Sequence, residues 1–299
     1  MTLVRRLARD DRGQSLVLAV VCLFTLVLLL GLVIDVGAWL HAQRRAQSVA
    51  DAAALAGAQE LPFDQVRAAA VARTYSENNW SGAQPALSFP DGSTIQVDVS
   101  HDAPGLFAPL AGIAGVTVHA HASARVAPPP SVEAVAPLGL SCENCGWEPG
   151  SSARLSWRPG NRAVQTNGFG ALRLSGGDFE TLMTCDPRQP TGGNCSRTVG
   201  QGSIGRDSSV SGEDFRSALS SVRGAPRLVS IYDDASRTSF HVIGWALFVV
   251  NDVDVTRNRF NQITRIDVDG HFTSFLVDSN KLAQPSSQDF GVRAIGLVG

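Results

Sequence analysis

The sequence predicts an α+β, membrane-anchored chain. A long N-terminal transmembrane and stalk helix comes first, then a small α+β region, then a mostly-β, sandwich-like C-terminal domain. Three observations predict this. An uncharged stretch, SLVLAVVCLFTLVLLLGLVI, fills Ser15 to Ile34. A proline-free, alanine-rich stretch continues from Asp35 to Leu61. Beyond Pro128-Pro129-Pro130, short apolar runs alternate with turns rich in Gly, Ser and Asn. The boundaries these set are a basic tail at 1–14, the span at 15–38, the stalk at 39–61, the α+β region at 62–127, a proline linker at 128–131 and the β-rich domain at 132–299.

Composition narrows the function classes. Of 299 residues, 44% are hydrophobic and only 17% charged, with a net charge of −2. The charged share is below the ~25% usual for soluble domains. That excludes disorder by composition and a nucleic-acid binder driven by bulk charge.

The span comes first. Gly13 to Ile34 is 22 uncharged residues, above the ~20 a helix needs to cross a bilayer. A spanning helix satisfies its own backbone in hydrocarbon. Arg5, Arg6, Arg9 and Arg12 precede the stretch and only Arg44 and Arg45 follow it, which places the N-terminus in the cytoplasm. The expectation is therefore a single-pass protein with the C-terminal domain outside. A cleaved signal peptide has a shorter apolar core, although Val36-Gly37-Ala38 resembles a cleavage site. Cys22 is a small residue in lipid, since Ala19-Val20-Val21 makes a poor lipobox.

The stalk carries a stripe. Ala38, Ala42, Ala46, Ala50, Ala54 and Ala58 recur every four residues. Alanine favours helix, and small-xxx-small spacing lets helices approach closely. The stripe either packs on the chain's own downstream residues or bundles with partner helices; composition leaves both open. Asp35 sits at the membrane exit, where a charge is tolerated at the interface and expensive deeper. Asp51 lies among small residues and is available to an Arg on a neighbour. The helix-packing candidates are therefore Asp35, Asp51 and the alanine stripe, with Leu at Ala50 and Ala54 expected to disrupt partner capture. Pro62 closes the segment.

Arg12-Gly13-Gln14-Ser15 opens the span, Ile34-Asp35-Val36-Gly37 ends it, Gln43-Arg44-Arg45 follows, and then comes Ala50-Asp51-Ala52-Ala53-Ala54-Leu55-Ala56-Gly57-Ala58. This series resembles the N-terminal module of Tad (tight adherence) pilus-assembly proteins of the TadG/TadE-like group. The resemblance covers about residues 12–60, roughly a sixth of the chain. It implies a bitopic protein of the bacterial cytoplasmic membrane, serving Flp-type pilus biogenesis or a related envelope secretion system, and it does not imply a catalytic activity. The implied partners are pilus or secretion-system components met through the N-terminal helix, the lipid bilayer, and further copies of the chain. Prepilins are cut after a Gly, with Glu five residues into the mature chain; here Gly13 is followed at that place by Leu18, so the chain is expected to stay anchored.

In the α+β region, Asp64 is the expected N-cap of a helix to Asn78. Ser93 to Val99 alternates, with Ile95, Val97 and Val99 on one face, after an Asp91-Gly92 turn. Gly105 to Ile113 suggests a short helix. Val116 to Val126 alternates again, placing Val118, Ala120, Ala122 and Ala124 opposite His119 and His121. Those two histidines fall short of a zinc ligand set, so no metal is assigned.

In the C-terminal region, Val132–Leu138, Ala153–Trp157, Gly170–Leu174, Arg227–Tyr232, His241–Val250, Ile263–Val268 and Phe272–Val277 read as strands and Gly212–Val222 as a helix. Cys142, Cys145, Cys185 and Cys195 allow three disulfide pairings. Outside the cytoplasm two structural disulfides are favoured over a zinc site made of all four thiolates, and the pairing stays open. Asp234-Ala235-Ser236-Arg237-Thr238 is superficially like the metal loop of von Willebrand A domains but lacks the helices that should follow; it reads as a polar turn. Asp252, Asp254, Asp267, Asp269 and Asp278 show no calcium-loop spacing.

The sequence holds no G-x-S-x-G, H-E-x-x-H or phosphate-loop signature. The expectation is a non-enzymatic anchored assembly component with no cofactor. The alternative is an anchored adhesin or glycan-binding β-domain, with Trp147, Trp157 and Trp245 as a stacking platform. An envelope hydrolase is a third class with no sequence signal.

Overall fold

The computed structural model describes residues 11–142, 145, 147–160, 167–189, 195–277 and 288–298. Arg5, Arg6, Arg9 and Asp278 lie outside the described residues. The chain divides into two compact units, Met1–Ala124 with Leu297–Gly299, and Arg125–Gly296.

The first unit is built on α1 (Asp11–Ala58), one unbroken helix of 48 residues. At 1.5 Å per residue it is about 72 Å long, so span and stalk are a single rod. It ends by tightening: the N–H groups of Gln59, Glu60 and Leu61 donate to Ala56, Gly57 and Ala58 carbonyls, just before Pro62. Helix α2 (Gln65–Asn79) starts at Asp64, whose side chain accepts the Arg67 N–H at 2.8 Å. A hairpin of β1 (Gln84–Asp91) and β2 (Thr94–Pro104) follows, with Asp91 accepting the Ser93 N–H in the turn. A 3-10 turn (Ala108–Ala111) leads into β3 (Gly115–Ala127), and the sheet order is β1-β2-β3.

The core of this unit is made mostly of alanine. Ala46, Val49, Ala50, Ala53, Ala54, Ala58 and Leu61 of the first helix and its end are buried, with Ala68 and Ala72 of α2. Opposite them the expected faces of the sheet, Ile95, Val97 and Val99 on β2 and Val118, Ala120, Ala122 and Ala124 on β3, are buried as well. β1 escapes a reading by alternation because Pro85 and Pro90 interrupt it. It is an edge strand, where missing N–H donors cost little.

The second unit is mostly β. In chain order it contains β4 (Ser131–Val132), β5 (Val135–Ser141), β6 (Ser152–Trp157), β7 (Phe169–Ala171), helix α3 (Phe179–Met183), β8 (Val199–Gly200), β9 (Gly202–Gly205), helix α4 (Gly212–Ser221), β10 (Pro226–Ala235), β11 (Ser239–Arg257), β12 (Ile263–Thr273), β13 (Phe275–Leu276) and β14 (Val292–Leu297). One seven-stranded sheet runs β6-β12-β11-β10-β5-β7, with β9 also pairing β11. β5 and β10 are parallel; β11 is antiparallel to both β10 and β12. The apolar run Val242–Val250 is thus the middle of an inner strand, and every residue of β5 is buried. Phe272, expected to open a strand of its own, instead continues β12, opposite Phe248.

Helix α4 is set by a capping box between Ser211 and Asp214 and buries Phe215, Ala218 and Leu219 in the main core. Phe215 is ringed by Trp157, Phe169 and Phe179, with centroids 5.0–5.4 Å apart. In its first turn Glu213 meets Arg257 at 2.6 Å and Arg216 at 2.7 Å. Arg257, then Arg216, hold the Glu213 carboxyl down at about 2. A carboxyl depressed in the folded state stabilises above its unfolded pKa and loses that contribution as pH falls toward the folded value. Glu213→Gln is therefore expected to shrink the drop in urea midpoint between about pH 6 and about pH 3. The difference should fade in high salt, since the pairs are solvent-exposed.

Candidate functional site

The most built part of the chain outside its cores is the stretch where α1 leaves its apolar segment. Asp35 is 1% exposed although it belongs to an otherwise exposed helix surface. Its Oδ1 accepts the Leu106 N–H at 2.7 Å, and its Oδ2 accepts those of Phe107 at 2.9 Å and Ala108 at 2.5 Å. The Ala108 N–H is the first donor of the 3-10 turn and those of Leu106 and Phe107 come just before it, so Asp35 ties down the entry to that turn from 71 residues away. One turn up, a β-carbon at Gly31 would fall 2.7 Å from Phe107 Cγ. A β-carbon at Gly105 would meet Asp35 Oδ2 and Trp39 Cζ2, each at 3.3 Å. Gly31, Asp35 and Trp39, spaced by four, thus form one face that holds the 105–108 loop.

The next two turns of α1 grip β3 by hydrogen bonds. Gln43 Nε2 donates to His119 O at 2.6 Å, and Gln47 Nε2 donates to His121 O at 3.0 Å and to Asp51 Oδ1 at 2.8 Å. The match is geometric: four helical residues rise about 6 Å and two strand residues about 6.7 Å. Arg45 donates to Asn79 O at 2.9 Å and lies 5.1 Å above the Trp80 ring.

The alanine stripe divides along this helix. Ala46, Ala50, Ala54 and Ala58 are 0% exposed, within their own unit. Ala38 is exposed and Ala42 half-buried. Leu at Ala50 or Ala54 therefore challenges the chain's own packing first, and a partner experiment belongs at Ala38 and Ala42. Asp51 is half-buried and takes its hydrogen bond from Gln47.

The four late cysteines form two disulfides, Cys142–Cys145 and Cys185–Cys195, with Cα separations of 4.9 and 5.5 Å. Cys185 is buried beside Ala134 and Leu182, and the Ala134 N–H donates to Cys195 O at 2.9 Å. Replacing Cys185 and Cys195 by alanine is expected to cost about 2–4 kcal/mol, read as a lower urea midpoint of tryptophan fluorescence. An unchanged midpoint would show the bridge to be dispensable. Cys22 is a free, exposed thiol.

The remaining candidates have ordinary partners. His121 Nδ1 lies 2.7 Å from Asp98 Oδ1. Asp252 and Asp254 stand directly across from Asp269 and Asp267 on β11 and β12, and arginines separate these like charges. Arg154 bridges Asp254 and Asp269 at 3.3 Å each, Arg265 pairs Asp267 at 2.8 Å, and Arg223 pairs Asp252. Asp234–Thr238 closes the β10–β11 hairpin, with Ser236 Oγ accepting the Thr238 and Ser239 N–H groups. Trp245 is buried, Trp147 stacks on Phe272 at 4.9 Å and Trp157 leans on Phe215. All three serve the core. Trp157, Phe215, Tyr232, Arg206 and Arg237 line a cavity of about 290 Å³ in the second unit.

Sequence reasoning reached Asp35 but not its partners. Gly31, Trp39, Gln43 and Gln47 also escaped it. The available signal was the four-residue spacing that joins Gly31, Asp35, Trp39, Gln43 and Gln47 into one helix face, a second stripe beside the alanines.

The helix from Ser15 to Ala58 is long and apolar enough to cross a membrane, which suggests a single-pass anchor. No curated protein and no solved structure matches the chain. The segment that holds Gly31, Asp35, Gln43, Gln47 and the packed alanines is the part that does match a family: residues 13–60 fit the Tad family, described as putative Flp pilus-assembly TadE/G-like.

Proposed function

We propose that the chain is a non-enzymatic, membrane-anchored component of a Tad/Flp-type pilus-assembly or related envelope secretion system. The family match supports a pilus-assembly-related role. The observation that carries the finer reading is the division of α1 within the matched segment. Its apolar surface from Leu16 to Ile34 is exposed, while its alanine face from Ala46 to Ala58 is packed at home. Such a helix presents the first half to lipid and uses the second to hold a folded unit at a fixed distance. The exposed and half-buried small residues between them, Ala38 and Ala42, are where a neighbouring helix fits closely. The N-terminus is cytoplasmic in this reading and both folded units lie outside. Affinity isolation of the full chain from detergent-solubilised membranes after crosslinking tests it. Co-isolation of pilus or secretion-system proteins is the expected result. Recovery of the chain with none of them contradicts the assembly role.

A further inference from the structure

We infer that the loop Gly105–Ile113 is a second membrane contact, seated in the outer head-group boundary of the bilayer that α1 crosses. This rests on the reading of α1 as a span. The loop, GLFAPLAGI, has no polar side chain, and no Asp, Glu, Lys or Arg occurs from Ala103 to Ala124. Leu106 is 73% exposed, Leu110 77% and Ile113 49%. Single exposed aliphatics are ordinary on a soluble surface, but a cluster of three in one short loop marks an interaction site.

Depth identifies the occupant. The apolar run Ser15–Ile34 has 20 residues, about 30 Å of helix, which equals the usual hydrocarbon thickness. Phe107 packs against Gly31, three residues or about 5 Å inside the end of that run. The loop is tied to this level by the three N–H bonds to Asp35, and it continues the exposed apolar surface of the helix itself.

The backbone of the loop is also prepared for an apolar medium, where unmet donors are costly. Gly105 N–H donates to Ala114 O, Leu106 to Ala108 donate to Asp35, and Leu110, Gly112 and Ile113 donate to the carbonyls of Phe107, Pro109 and Ala108. Pro109 has no N–H to satisfy. A loop meant for water needs no such closure, because water supplies the partners.

The test uses the full chain with Cys22→Ala, so that labels go only to introduced thiols. Leu110→Cys, Leu26→Cys and Val66→Cys, each at an exposed position, are labelled with an environment-sensitive fluorophore. Each is reconstituted into phosphatidylcholine vesicles without brominated lipid, with lipid brominated near the top of its acyl chains and, to read the mid-span position 26, with lipid brominated near their ends. The expected result is a blue-shifted emission and strong quenching at position 110, quenching at 26, and neither at 66. Quenching at 26 with an unquenched 110 overturns the inference and leaves the span intact; that is also the outcome if a second copy or a protein partner covers the loop. An unquenched 26 removes the span, and the inference falls with it.

Discussion

Gly57→Leu is expected to destabilise the first unit by about 3 kcal/mol. A β-carbon at Gly57 would lie 2.7 Å from Ile95 Cδ1, 3.0 Å from the Ala68 carbonyl oxygen and 3.2 Å from Ala72 Cβ. The tip of Ile95 can turn aside, but the Ala68 oxygen belongs to the α2 backbone and yields only if that helix moves. Leucine gains roughly 1 kcal/mol of helix propensity over glycine, which is smaller than the overpacking cost. Gly37 is the control, since nothing lies within 4 Å of its would-be β-carbon. Gly37→Ala should keep only the gain of about 1 kcal/mol. Pulse proteolysis of the detergent-solubilised full chain across a urea series reads both. Equal stability of Gly57→Leu and the parent would show that α1 and α2 do not pack as closely as described.

The second large effect is at Asp35. Alanine there removes the acceptor of three backbone donors at once, and leaving donors unpaired costs more than the bonds themselves contribute. The loop at 105–108 should detach from the helix while the alanine core below stays folded. Hydrogen exchange should speed up at the Leu106, Phe107 and Ala108 amides and stay unchanged at Val97 and Val99. Asparagine is expected to rescue only in part, because its amide end offers donors to donors. Unchanged protection in Asp35→Ala would mean that Asp35 does not tie down the entry to this turn.

These two positions also show how far the sequence was legible. The rod, the cap at Asp64, and the buried faces of β2 and β3 follow from local spacing, because neighbours along an element share a face. The Asp35–Leu106 bond joins residues 71 apart, and no periodicity encodes such a partner. The stripe itself was legible; what covers it was not, because alanine serves helix propensity and close packing equally. Composition left self-packing and partner-packing open, and the structure assigns the lower four alanines to the chain itself. The late disulfides had the reverse problem. Compartment favoured bridges, but three pairings fit the same four cysteines, and only proximity in the fold separates them. Prolines hid β1, since an edge strand tolerates what an inner one does not.

In the proposed function α1 serves three surroundings in succession: lipid, a neighbouring helix and its own folded unit. The most direct measurement is photocrosslinking in intact cells from a photoreactive residue placed in turn at Leu26, Ala38 and Ala50. Lipid adducts are expected from position 26, an adduct with a pilus or secretion-system protein from 38, and only intramolecular products from 50. A partner adduct from 50, or none from 38, would contradict the proposed function.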